Sequence, residues 1–408
     1  MRFTGKILTA IVACLCILTS TVNAEEIQDA EKSVAGSNTA FGIDLYKNLA
    51  EDSGNIFFSP YSINLALAMT YAGADGETAK QIKDVFKWKL PDNKLHDAIG
   101  KLTDKLPPED DSEFALNIAN SIWGQDGYSF CERYLNILED DYGAPLRTVA
   151  FKSRPEDVRK KINRWVEEKT DDKIKDLMPK GSIDNLTRLV LTNAIYFKAR
   201  WAKTFRENKT TEETFTTAKG KEVETEMMQQ TDQFHYMENN CIKLLELPYE
   251  GGETSMLIIL PHKKNDLPQT EKAFTEKQLD SWMQKLKRHR VSVKLPKFKL
   301  KTKFMLQKPE ILPAMGMKDA FSPRKANFSH MADEDEQLYI SAAIHQAYID
   351  VDEEGTEAAA ATGIGVAATA APLGEPKEFH ADRPFIFLIR DRKTNCTLFL
   401  GRLAKPEN

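Results

Sequence analysis

Cysteine is scarce in this 408-residue chain, which has five. Cys14 and Cys16 lie in an apolar N-terminal stretch, and Cys131, Cys241 and Cys396 are spread far apart. An odd, scattered set of three is not a disulfide framework, and with no Cys-x-x-Cys pair and no close histidine it is not a zinc site. Proline (18) and glycine (20) nowhere gather into a linker that would divide the chain. Charge of either sign is not in excess: 56 Lys and Arg stand against 61 Asp and Glu, a net charge of −5, and nothing in that balance favours a nucleic acid partner. Beyond residues 1–24, no apolar run approaches the roughly 18 residues that span a bilayer. Catalytic signatures are missing as well. The seven histidines form no His-Glu-x-x-His, and there is no Gly-x-Ser-x-Gly elbow and no Gly-x-x-x-x-Gly-Lys phosphate loop. Gly363-Ile-Gly365-Val-Ala-Ala368 matches a dinucleotide fingerprint, with Asp382 downstream, but no buried strand leads into it and Pro372 stops any helix behind it. The expectation is a protein that is not an enzyme and needs no cofactor.

What is present is a large core. Hydrophobic residues make up 41% of the chain, enough for a stable globular unit without disulfide staples. Arg2 and Lys6, the apolar run Ile7 to Leu18, and the small residues Val22-Asn23-Ala24 read as an export signal over residues 1–24, so a secreted product beginning at Glu25 is expected. Lipidation at Cys14 is a lesser alternative. Four Asn-x-Ser/Thr sequons begin at Asn185, Asn208, Asn327 and Asn395.

Residues 25–408 read as one α+β domain, with helices prominent early and strands late. Ser59-Pro60 opens a helix through Ile63, Ala66, Leu67, Thr70 and Tyr71 to Gly73, and Ser153-Arg-Pro-Glu156 reads as a capping box ahead of Val158, Ile162, Trp165 and Val166. Strands are expected at 190–197, 255–260, 291–295, 385–389 and 397–400. Lys285, Lys287, Arg288 and Arg290 form one basic cluster, and Lys297, Lys299, Lys301 and Lys303 alternate along another strand. Both read first as solvated faces, the second leaving room for a weak polyanion contact without aromatics to support nucleic acid binding.

The segment from Asp350 onward is unusual. Acidic residues lead into Gly355-Thr356-Glu357, after which eight of the fourteen residues from Ala358 to Ala371 are alanine. A loop this long inside a compact domain is functional or disordered, and strands on both sides hold this one in place. Were it extended in a sheet, Thr356, Ala358, Ala360, Thr362, Ile364 and Val366 would share one face, with Glu357 on the other. That face can be buried without stranding a charge, so the segment reads as a loop able to become a strand.

Three stretches then resemble the serpin family: Phe379-His-Ala-Asp-Arg-Pro-Phe-Ile-Phe-Leu-Ile389, Asn55-Ile-Phe-Phe-Ser-Pro-Tyr-Ser-Ile63 and Asn193-Ala-Ile-Tyr-Phe-Lys-Ala-Arg-Trp201. The resemblance implies three β-sheets, eight or nine helices and an exposed reactive-centre loop at about 353–378. It implies an inhibitory hinge at Glu353, Gly355, Thr356, Glu357 and Ala358, Ala359, Ala360, Ala361, with none of the charged, bulky or proline residues that non-inhibitory relatives tend to carry at the positions of Thr356 and Ala358 to Ala361. It matches Ser59, Ser62, Asn193 and His345 to a polar cluster under the main sheet, and Trp201, Lys297 and Glu353 to the place where the loop enters; these control opening. It places the scissile bond at Thr369-Ala370, within a window from Ala368 to Ala371. The implied function is suicide inhibition of a serine protease by a monomer through a covalent acyl complex. The residues around the bond are small, with no Arg, Lys or aromatic, which selects elastase-like or subtilisin-like targets. A non-inhibitory binding or chaperone protein on the same fold is the alternative.

Overall fold

A computed structural model describes residues 28–51, 53–106, 115–332, 337–356 and 374–407. Among these, residues 28–49 form helix α1, followed by α2 (Pro60–Tyr71), α3 (Gly76–Phe86), α4 (Asp92–Lys105), α5 (Glu132–Asp140), α6 (Pro155–Lys169), α7 (Leu267–Ala273), α8 (Glu276–Met283) and α9 (Leu312–Met315). The strands are β1 (Ile56–Phe58), β2 (Ala115–Gln125), β3 (Arg147–Val149), β4 (Leu189–Arg200), β5 (Thr211–Thr216), β6 (Glu222–Glu238), β7 (Ile242–Pro248), β8 (Thr254–Pro261), β9 (Lys287–Pro296), β10 (Phe298–Met305), β11 (Ile340–Val351), β12 (Gly355–Thr356), β13 (Lys377–His380), β14 (Phe385–Asp391) and β15 (Thr397–Leu403).

Local chemistry sets the two helices expected from capping. The Ser59 hydroxyl accepts the Ser62 N–H at 3.0 Å and Pro60 pre-sets the first turn of α2. Every residue of α2 is buried, so this helix runs through the core instead of lying on it with one apolar stripe. The capping box at Ser153 does not form. Pro155 takes the first helical position of α6, which makes Arg154 the N-cap and leaves Ser153 one residue too early. Glu156 is instead clasped by the Arg159 guanidinium at 2.8 and 2.9 Å.

The strands make a six-stranded and a nine-stranded sheet. In the larger one, two of the three expected sheets share a continuous ladder through the 17-residue β6, which pairs with β5 near its start, β7 near its end and β9 along its length. The smaller sheet runs β10-β11-β4-β2-β3, with β12 wedged between β11 and β4 at one end. Its central pair, β4 and β11, is parallel from Leu189/Ile340 to Tyr196/Tyr348, flanked by antiparallel neighbours. Alternation along β4 divides the core. Leu189, Leu191, Ile195 and Phe197 join the main core with α2 and the larger sheet, while Val190 and Ala194 face a second cluster with Val158, Ile162 and Val166 of α6. Cys131, Cys241 and Cys396 are unpaired. No helix among the described residues is long and apolar enough to cross a membrane.

Candidate functional site

The seam between β4 and β11 carries a buried polar lock. Register sets Asn120, Asn193 and His345 side by side on β2, β4 and β11. The Asn193 amide donates to the Ser62 carbonyl, to the Ser62 hydroxyl at 2.8 Å and to the Asn120 side-chain oxygen at 2.7 Å. Asn120 also donates to the Ser62 carbonyl at 2.9 Å. The His345 ring reaches both ways: Nδ1 meets the Asn193 oxygen, and Nε2 accepts the Ser59 backbone N–H at 3.1 Å. An acceptor at Nε2 fixes the proton on Nδ1, so the imidazole is neutral. Complete burial agrees, pushing its pKa down to about 3. Ser59, Ser62, Asn193 and His345, separated in sequence by up to 286 positions, thus tie β4, β11 and the start of α2 together. Sequence reading missed Asn120.

One end of the same seam holds the start of the small-residue segment. After β11 the chain reverses at Asp352, whose carboxylate accepts the N–H groups of Glu354 at 2.9 Å and Gly355 at 3.1 Å. Gly355 and Thr356 then pair antiparallel with Arg200 and Ala199 of β4, and Thr356 pairs with Val351 of β11. Glycine is required at 355, since a Cβ there would lie 2.2 Å from the Ala199 carbonyl oxygen. Thr356, first residue of the uncharged face, is fully buried. Trp201, just past β4, donates from its indole to the Asp352 carbonyl at 3.0 Å and from its backbone to Glu354 at 2.8 Å. Glu353 is nearly buried, accepting from the Thr210 hydroxyl at 2.6 Å and facing Lys297 at 3.1 Å. Burial pushes its carboxyl pKa up, but the Thr210 and backbone hydrogen bonds and the Lys297 charge outweigh it and leave the net value low. Trp201, Lys297 and Glu353 therefore meet around the turn that feeds β12. Thr210 and Tyr249, which complete this corner, carried no signal in the sequence.

A strand wedge entering a parallel seam agrees with what comparison of the whole chain returns. A family model described as serpin (serine protease inhibitor) matches residues 36–406. The chain is a serpin. Its relatives include a serpin-like protein of Methanosarcina mazei, 40% identical over 95% of this chain and 90% of that protein. Leukocyte elastase inhibitor of Xenopus laevis is 38% identical over 92% of this chain and all of that one. Among solved structures, Serpin48 of the insect Tenebrio molitor superposes with a TM-score of 0.80 at 33% identity, covering 94% of this chain and 99% of the other.

For this serpin, the export signal at 1–24 with Cys14, the hinge residues Glu357, Ala358, Ala359, Ala360 and Ala361, the scissile pair Thr369-Ala370 and the fingerprint-like Gly363 to Ala368 lie outside the described residues. On the C-terminal side of these residues, β13 pairs parallel with β9. The alternating lysines of β10 are mostly engaged: Lys299 pairs with Asp350 at 3.0 Å and Lys303 donates to the Asp176 carbonyl at 2.7 Å, with Lys301 exposed. Asn185, Asn208 and Asn395 are exposed and Asn327 is half-buried.

Proposed function

We propose that this serpin is a secreted suicide inhibitor of serine proteases that accept small residues. The observation that carries the reading is the hinge: Gly355 and Thr356 already occupy strand positions between β4 and β11, and below them these two strands bond to each other. Opening that one parallel pair creates two free edges for an extra strand, and a small-residue segment with an uncharged face is attached at its mouth.

In this reading the protease serine attacks the Thr369 carbonyl, the Thr369-Ala370 amide bond breaks as the ester forms, and the serine proton passes through the protease's own histidine to the departing amine of Ala370. The freed segment then zips downward from Thr356 as a new central strand and carries the esterified protease along, distorting its active site before water can cleave the ester. Strand addition with release of stored strain is the known behaviour of serpin loops. About ten new ladder hydrogen bonds at about 1 kcal/mol each would supply on the order of 10 kcal/mol. The chain supplies no catalytic residue, takes no cofactor, and acts as a monomer whose partner is the trapped protease. Relatives at 38 to 40% identity that bear the name leukocyte elastase inhibitor support the activity. An alanine and threonine bond suits a shallow apolar primary pocket and not the acidic one of trypsin.

The test is reaction with elastase, read as a denaturation-resistant complex on a gel and as the intact mass of the released C-terminal fragment. A complex with elastase but not trypsin, and a cut between Ala368 and Ala371, are expected. Clean cleavage without a complex would favour the binding or chaperone alternative, and trapping of trypsin instead would overturn the specificity.

A further inference from the structure

Tyr249 is fully buried where β12 enters the sheet. Its ring stacks on Trp201, centroids 4.5 Å apart and planes 8° from parallel, and meets Phe197 edge-on at 5.2 Å. A backbone bridge between Tyr249 and Trp201 fixes both rings. The phenol oxygen points at the hinge and shares a 2.9 Å hydrogen bond with the Thr356 hydroxyl. Among the described residues the Tyr249 phenol has no other hydrogen-bond partner. Withdrawal of the hinge would therefore strand a phenol in an aromatic pocket closed to water, a cost that falls on the withdrawn state and not on the docked one.

Resting on the inhibitory reading above, we infer that Tyr249 is a positioning residue that latches the hinge through Thr356 and so keeps the first rung of the incoming strand in place before a protease arrives. Docking the first rung removes the slowest part of strand addition, the closing of an unpaired segment onto the sheet, and leaves only stepwise pairing. The latch should act after acylation, in the contest between insertion and ester hydrolysis, and leave the protease's attack on the loop unaltered.

The experiment compares the parent, Tyr249→Phe, Thr356→Val and the double variant in reaction with elastase. Two quantities are read separately: the second-order rate of loop attack, and the number of inhibitor molecules consumed per protease trapped. One neutral hydrogen bond corresponds to about a fivefold change. Each single variant is expected to raise the number of molecules cut without trapping, per protease trapped, about fivefold with the attack rate unchanged, and the double variant to do no worse than either, because both remove the same bond. Additive effects, an unchanged number consumed in both single variants, or a matching fall in attack rate would overturn the latch. Thr356→Val changes no buried ring, so it decides the matter even if Tyr249→Phe fails to fold. A parent that is cut by elastase without being consumed into complexes would overturn the inhibitory reading itself, an outcome separate from the other three.

Discussion

His345 is one side chain that the closed seam holds neutral. Its Nε2 accepts from the Ser59 backbone and its Nδ1 serves Asn193, so a second proton would set N–H against N–H at Ser59. With the folded pKa held down to about 3 by burial, against the ordinary value of 6.5, the unfolded chain takes up a proton that the folded chain refuses throughout that interval. Stability from this group is complete above pH 6.5 and is lost as pH falls toward 3, by about 1.4 kcal/mol for each pH unit. His96, also held down, to about 4, adds to the loss over much of the same window. Replacing His345 with Asn, whose amide can both accept and donate but does not titrate there, should flatten the fall. The check is the urea midpoint of parent and variant between pH 7 and pH 4. Identical slopes would show that the lock does not titrate as its geometry requires.

At the scale of elements, the proposed insertion turns on β12, two residues long. Burial of Thr356 implies that a charged side chain there would have to enter the sheet unpaired, at a cost of several kcal/mol. Thr356→Arg should therefore be cut by elastase as a substrate and trap little of it, and efficient trapping by this variant, seen on a gel, would rule out strand insertion. The parity that puts Thr356 inward was legible in the sequence, because one acidic residue among small ones marks a face whatever the surroundings. So were β4, a long apolar run, and α2, announced by Ser59-Pro60. Less local features were hidden. Asn120 reaches its place opposite Asn193 across 73 positions, and Tyr249 reaches Thr356 across 107, so neither has any pattern in its own neighbourhood. Ser153 misled in the other direction: the capping spacing was present, but Pro155 moved the helix start by one residue.

For the molecule as a whole, β4 and β11 bond directly to each other below the two residues of β12, and on the proposed inhibitory reading this is where the chain would add one more strand. On that reading the uncut form is a trapped state, because β12 sits at the mouth of the seam while β13 is paired with β9. A cut at the proposed Thr369-Ala370 bond would release that restraint. In an ordinary protein a nick in a long loop leaves stability unchanged or lowers it, since it adds freedom without adding contacts. Here the same cut should add a central strand, with on the order of 10 kcal/mol from backbone pairing alone. Spread over the unfolding entropy of a domain this size, that corresponds to a rise in Tm on the order of 10 °C. Thermal unfolding of intact and singly cut protein, followed by circular dichroism, measures it directly. A Tm that stays put or drops after a single cut would mean that the seam does not open, and the hinge would then be a fixed edge of the sheet with no part in trapping a protease.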